Sequence, residues 1–183
     1  IHKLKVALDT YLELYMMKKM LLILSIIFIS ILSSFAQDFN DMIIISIEYK
    51  NGVYKGKLEA ELALDEEDWY IDRSRYESRF YNNLSERLKK IRINKPILVR
   101  TPEQFAEIED LYNYGIIVDI KSVDGKGNVY AHVTLINKKS NIKETKLINA
   151  EGGTFGTWLN LFGDGMASLG VQIVNFIAKT DAF

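Results

Sequence analysis

"YNYGIIVDIKSVDGKGNVYAHVTLIN", residues 112–137, decides the fold. Ile116, Val118 and Ile120 alternate with Ile117, Asp119 and Lys121. Val129, Ala131, Val133 and Leu135 alternate with Tyr130, His132, Thr134 and Ile136. A period of two sends successive side chains to opposite faces, so each run reads as a strand with one apolar side. "DGKGN" between them is the turn. For both apolar sets to share a face the loop must hold an even number of residues, 125–126 or 125–128. The first puts His132 opposite Asp119, the second opposite Lys121.

Downstream, residues 143–149 form a third strand with weaker alternation. Lys143 and Lys146 mark it as an edge, where charge discourages unwanted pairing. Upstream, residues 43–49 and 54–64 flank Asn51-Gly52, the strongest short hairpin signal. The expected register sets Tyr49 against Tyr54 and Ile45 against Leu58. An acidic connection, residues 65–74, then leads to a helix. Ser74 and Glu77 have capping-box spacing, and Tyr76, Phe80, Leu84, Leu88 and Ile91 make a buried stripe. Residues 96–100 are a short strand, and Thr101-Pro102-Glu103 opens a helical turn running to about Leu111. Met166, Leu169, Ile173, Phe176 and Ile177 trace a last helix, with Asp164 as its cap and Gly170 set for close approach to the sheet. The order β-β-α-β-(α)-β-β-β-α implies an α+β fold: a two-layer sandwich, with an antiparallel or mixed sheet of about five or six strands and two long helices on one face.

The amino-terminal part carries an address. Lys18 and Lys19 precede an apolar run broken only by Ser25 and Ser30, and Ser33-Ser34-Phe35-Ala36 follows. A basic start, a short apolar middle and a small-residue exit make a signal peptide. The run is shorter than the ~20 residues a membrane span needs. Residues 16–36 are read as the signal peptide, cleaved after Ala36, and residues 1–15 as an upstream non-native extension. Residues 37–183 are then one α+β domain. No permanent span is expected after cleavage.

The 183-residue chain has 23 Lys/Arg, 24 Asp/Glu and no cysteine. Nothing in it offers the concentrated basic surface that nucleic acid requires. A thiol-free exported domain suits a bacterial envelope, periplasmic or extracellular, and holds together by packing alone.

Candidate chemistry is thin. Gly152, Gly153 and Gly156 lie in "EGGTFGT", residues 151–157, between a strand and a helix, where backbone amides cradle anions. The loop lacks the lysine of a phosphate loop and misses the dinucleotide fingerprint. Trp158 and Phe162, with Leu159, Leu161 and Met166, form a glycine-flanked apolar cluster. These five residues, Gly152, Gly153, Gly156, Trp158 and Phe162, are the expected partner-binding site. His132 has no nucleophile placed beside it. Asp65, Glu66, Glu67, Asp68 and Asp72 lack the spacing of a calcium loop. No catalytic residue, metal or cofactor is expected.

The exit "ILSSFAQ", residues 31–37, resembles signal peptides of Bacteroidota. Residues 112–137 together with "AEGGTFGTWLNLFGDGMASLGVQIVNFIAK", residues 150–179, resemble a loose group of short exported proteins from such bacteria, generally of unknown function. More distantly, the layout is similar to small α+β domains of envelope assembly proteins, such as the amino-terminal domain of the Tol system's propeller protein. The resemblance implies a Gram-negative envelope setting and carries over no functional residue. The expected function is a non-catalytic exported module binding another envelope protein or a cell-surface polymer. The alternatives are an envelope or polysaccharide hydrolase using acidic residues, and a structural protein that self-assembles through the edge strand 143–149.

Overall fold

In the computed structural model, which describes residues 39–180 and 182–183, the chain runs β1 (Ile43–Glu48), β2 (Val53–Tyr54), β3 (Lys57–Leu58), α1 (Glu59–Asp65), α2 (Trp69–Lys90), β4 (Ile97–Arg100), α3 (Pro102–Glu107), β5 (Tyr114–Val123), β6 (Val129–Asn137), β7 (Ile142–Ala150) and α4 (Trp158–Thr180). The expected extension and signal peptide lie outside the described residues.

The fold is α+β, and its seven-stranded sheet is mixed. Strand β5 sits at the centre. Antiparallel β6 takes one edge, and β7 pairs beyond it. The other edge of β5 is shared: β1 runs parallel to its first half and β2 parallel to its end. Strand β4 lies parallel outside β1.

Period-two patterning decides the faces. Ile43, Ile45 and Ile47 of β1, Ile116, Val118 and Ile120 of β5, and Val129, Ala131, Val133 and Leu135 of β6 are buried in the main core. The same core holds Tyr76, Phe80, Leu84 and Leu88 of α2 and Phe162, Met166, Leu169, Ile173 and Ile177 of α4. On the opposite face Ile44, Phe105, Tyr112 and Ile136 form a smaller cluster under α3. The crossover from β1 to β4 therefore uses one face and the crossover from β4 to β5 the other. Strand order reverses at β1, and in open sheets with parallel strands such a reversal opens a crevice beyond the strand ends.

Four local expectations are corrected. First, Asn51-Gly52 makes no hairpin. The Gly52 amide donates to the Tyr49 carbonyl at 2.9 Å, so residues 49–52 turn, but the chain then resumes its direction along β5. The tight turn lies at Lys55-Gly56, with φ of 50° and 85°, and pairs Val53 with Leu58 and Tyr54 with Lys57. Burial explains the change. Tyr49 and Tyr54 both enter the core, and the Tyr54 hydroxyl donates to the Tyr49 carbonyl at 2.9 Å.

Second, residues 59–65 are helical, and α2 starts at Trp69, so Ser74 and Glu77 lie inside it. Fully buried Trp69 lies parallel to Phe162 at 6.0 Å between ring centres, and that packing outweighs the capping signal. Third, the β5–β6 loop holds five residues, 124–128. A bulge between Ile120 and Ser122 restores the shared face, and His132 lies opposite Asp119. An odd loop with an in-register apolar face demands one such extra residue. Fourth, α4 starts at Trp158, which puts Asp164 within it, and Gly170 faces α2 rather than the sheet. A Cβ there would lie 2.8 Å from the Phe80 carbonyl oxygen.

Helix α3 begins as expected. The Thr101 hydroxyl accepts from the Gln104 amide and the Gln104 side chain accepts from the Thr101 amide, each at 3.3 Å. Helix α4 is long and apolar enough to cross a membrane. Its stripe is buried against α2 and the sheet, as in the core helix of a globular domain.

Candidate functional site

The glycine-rich crossing, residues 151–157, is engaged from within. The Gly152 amide donates to Asn128 Oδ1 at 2.8 Å, and the Gly153 amide donates to the Leu161 carbonyl at 3.2 Å. These are the amides an anion would need. A Cβ on Gly152 would lie 2.2 Å from the Lys126 carbonyl oxygen, and one on Gly127 2.2 Å from the Leu161 carbonyl carbon. The β5–β6 loop thus presses backbone to backbone against the crossing and the start of α4. Asp124 knots the loop: its carboxylate accepts from the Lys126 amide, the Asn128 amide and Asn128 Nδ2 at 2.8–3.0 Å. Burial works to raise the Asp124 pKa, but these hydrogen bonds outweigh it and hold the carboxyl below its usual range.

The other expected binding residues sit on the same scaffold. Phe162 is fully buried between Trp69 and Tyr76. Trp158 is half-buried, its Nε1 donating to the Asp124 carbonyl at 2.8 Å. Gly156 has φ of 115° at the exposed tip, beside Phe155, which is 89% exposed.

A different region has open polar capacity. At the carboxyl ends of the parallel strands β1 and β4 lies a cavity of about 260 Å³, lined by Tyr49, Arg73, Glu77, Tyr81, Arg100 and Gln104. Arg73 reaches it from α2. Its Nη1 pairs with Glu59 at 2.6 Å, its Nε lies 3.6 Å from Glu77, and its guanidinium covers the Tyr49 ring at 4.8 Å. The Tyr49 hydroxyl is buried with no hydrogen-bond partner. Burial, reinforced by the Glu77 charge, pushes its pKa well above the ordinary value. Burial likewise raises the Glu77 pKa, opposed first by Arg73 and then by the approach of the Tyr49 hydroxyl. That approach falls short of a formed hydrogen bond. Arg73 and Glu77 are four residues apart on one helix face, the spacing of a surface pair. Only the fold shows that they border a cavity.

Pro102 lines this cavity and also a second one on the other face of the sheet. That groove, about 240 Å³, is floored by Ser46, Phe105, Tyr112, Ile117 and Ile136. Beside it the register sets Glu48, Asp119 and His132 in one row across β1, β5 and β6. His132 is exposed there. Asp119 pairs with Lys121 through Oδ2, while its Oδ1 is buried without a partner. In the acidic segment Asp65 pairs with Lys57, and Asp72 with Arg75 at 3.0 Å. Among the described residues no three His, Cys, Asp or Glu side chains are grouped to hold a metal ion.

No family model matches the chain, and no curated protein matches it. Among solved structures it is similar to a Xanthomonas campestris protein of the family DUF330, at 6% identity and a TM-score of 0.35, covering 79% of this chain and 90% of that one.

Proposed function

We propose that the protein is a non-catalytic exported binding module, meeting another envelope protein or a cell-surface polymer at the carboxyl end of β1 and β4. One observation carries this reading: two cavities of different character, one mainly apolar and one bordered by charged and polar side chains among apolar ones, stand back to back across Pro102 where strand order reverses. Binding sites combine an apolar surface with a few convergent polar groups, and strand ends at a reversal are where such sites form. In this reading α2 and α4 make one layer of a two-layer sandwich, and short α3 covers part of the far face. Export rests on the leader read in residues 16–36.

The test is retention of envelope-extract components on immobilised protein. Ala106 also lines the apolar groove, so Ala106→Trp obstructs it and should abolish retention, while Phe155→Ala at the tip of the crossing should leave it intact. The reverse pattern would return the site to the glycine-rich crossing. A hydrolase reading has one observation in its favour, the Glu48–Asp119–His132 row on an open face. It requires turnover of envelope polymer that His132→Ala removes.

A further inference from the structure

Tyr49 supplies the starting point. Tyr49 is 4% exposed and lines the polar cavity, and its hydroxyl is buried, approaching Glu77 without a formed hydrogen bond. Buried hydroxyls are almost always hydrogen-bonded, and one left alone marks a place where a partner is missing. The groups around it are mixed in kind. Arg100 donates one Nη1 hydrogen bond to the Val99 carbonyl at 2.9 Å, and its remaining donors are uncommitted in that bond. Gln104 offers a donor and an acceptor, and Glu77 offers acceptors. The charges cancel: Arg73 and Arg100 stand against Glu59 and Glu77. An anion entering would meet Glu77, and a cation would meet Arg100 and the guanidinium of Arg73.

A neutral ligand rich in hydroxyls avoids both conflicts and uses both donors and acceptors. Planar guanidinium, amide and carboxylate groups match pairs of neighbouring hydroxyls by two-point hydrogen bonding. Tyr81 also lines the cavity, and an aromatic side chain suits the C–H face of such a ring. The volume, about 260 Å³, is just below the ~300–1,000 Å³ of common ligand sites, room for one small ring.

We propose that this cavity binds a neutral polyhydroxyl ligand, one sugar ring of a cell-surface polymer, with the Tyr49 hydroxyl as its buried anchor. The assignment names the polymer chemistry of the binding-module reading and rests on it. Titration of the full chain with glucose, galactose, mannose and N-acetylglucosamine, followed by backbone amide NMR, tests it. Inorganic phosphate and choline serve as the anionic and cationic probes. At least one neutral sugar should shift the amides of Tyr49, Thr101, Glu103 and Gln104, and neither ion should. Tyr49→Phe should weaken that sugar at least about tenfold, the loss of roughly one hydrogen bond. The same variant should melt at a higher temperature than the parent, because it removes an unpaired buried hydroxyl, whereas a merely structural hydroxyl would lower the melting temperature when lost.

Silence of the whole sugar panel, a phosphate or choline response in its place, or a lower melting temperature for Tyr49→Phe overturns the proposal. If the panel is silent while Ala106→Trp still abolishes retention from envelope extract, the sugar assignment fails and the binding module stands. If Ala106→Trp has no effect either, both fall.

Discussion

The crossing at residues 151–157 and the turn at residues 100–102 both carry the chain from a strand into a helix, and they are built in opposite ways. At the crossing, backbone meets backbone at van der Waals distance, and the amides of Gly152 and Gly153 are bonded to Asn128 and Leu161. At the turn, a cavity opens on each side of Pro102, and a buried hydroxyl has no partner. Glycine content marks where chains approach closely, which is a packing property. Capacity for a ligand depends on polar groups left over once the fold has satisfied itself.

The sharpest way to break this contrast is at the knot. Gly127→Ala meets the Leu161 backbone at 2.2 Å and a φ of 75°, so it should cost more than about 3 kcal/mol by denaturant unfolding. Gly125→Ala faces open space and should change stability by less than about 0.5 kcal/mol. Equal costs would mean that the loop is not pressed against the crossing. Asn128→Ala comes next. It removes the bonds to Gly152 and Asp124 and should cost about 2 kcal/mol, read from the same curves.

Smaller effects separate the two regions by pH. The Asp124 pKa is lowered on folding. Its contribution is present above its unfolded pKa and lost as pH falls through the folded one. Glu77 is raised, mainly by burial. Its contribution is full below its unfolded pKa and lost as pH rises through the folded one. Acidification therefore weakens the knot and relieves the cavity. Thermal melts from about pH 3 to 7 should show a shallower acid loss in Asn128→Ala, and Glu77→Gln should remove the destabilisation that Glu77 adds on the neutral side.

How far all this was legible follows from how local each feature is. Strands β5, β6 and β7 pair in chain order; alternation identifies β5 and β6, and more weakly β7. Alternation leaves two pairings open for His132, and the molecule reaches the one with Asp119 by neither even loop but by a five-residue loop and a bulge. The edge position of β7 was legible from its lysines. The path of β1 and β2 was not, because parallel pairing with a strand distant in sequence leaves no mark beside either of them. Asn51-Gly52 announces a turn without saying where the chain goes afterwards. The start of α2 was missed because the burial of Trp69 is decided by Phe162, far along the chain. The polar cavity was missed for the same reason: Tyr49, Arg73 and Arg100 come from three separate elements, and Tyr49 in a strand pattern reads as ordinary core.

Parallel pairing of β1 also has a consequence for the order in which the molecule assembles. Ile43 finds its neighbours only at Ile97 and Tyr114, so as the chain emerges from the ribosome its leading strand has no template until most of the rest has followed. The later meander and closing helix pair with what lies next to them, and contacts between near neighbours form faster than distant ones. The front of the described domain therefore gains its pairing partners only after the rear has been made.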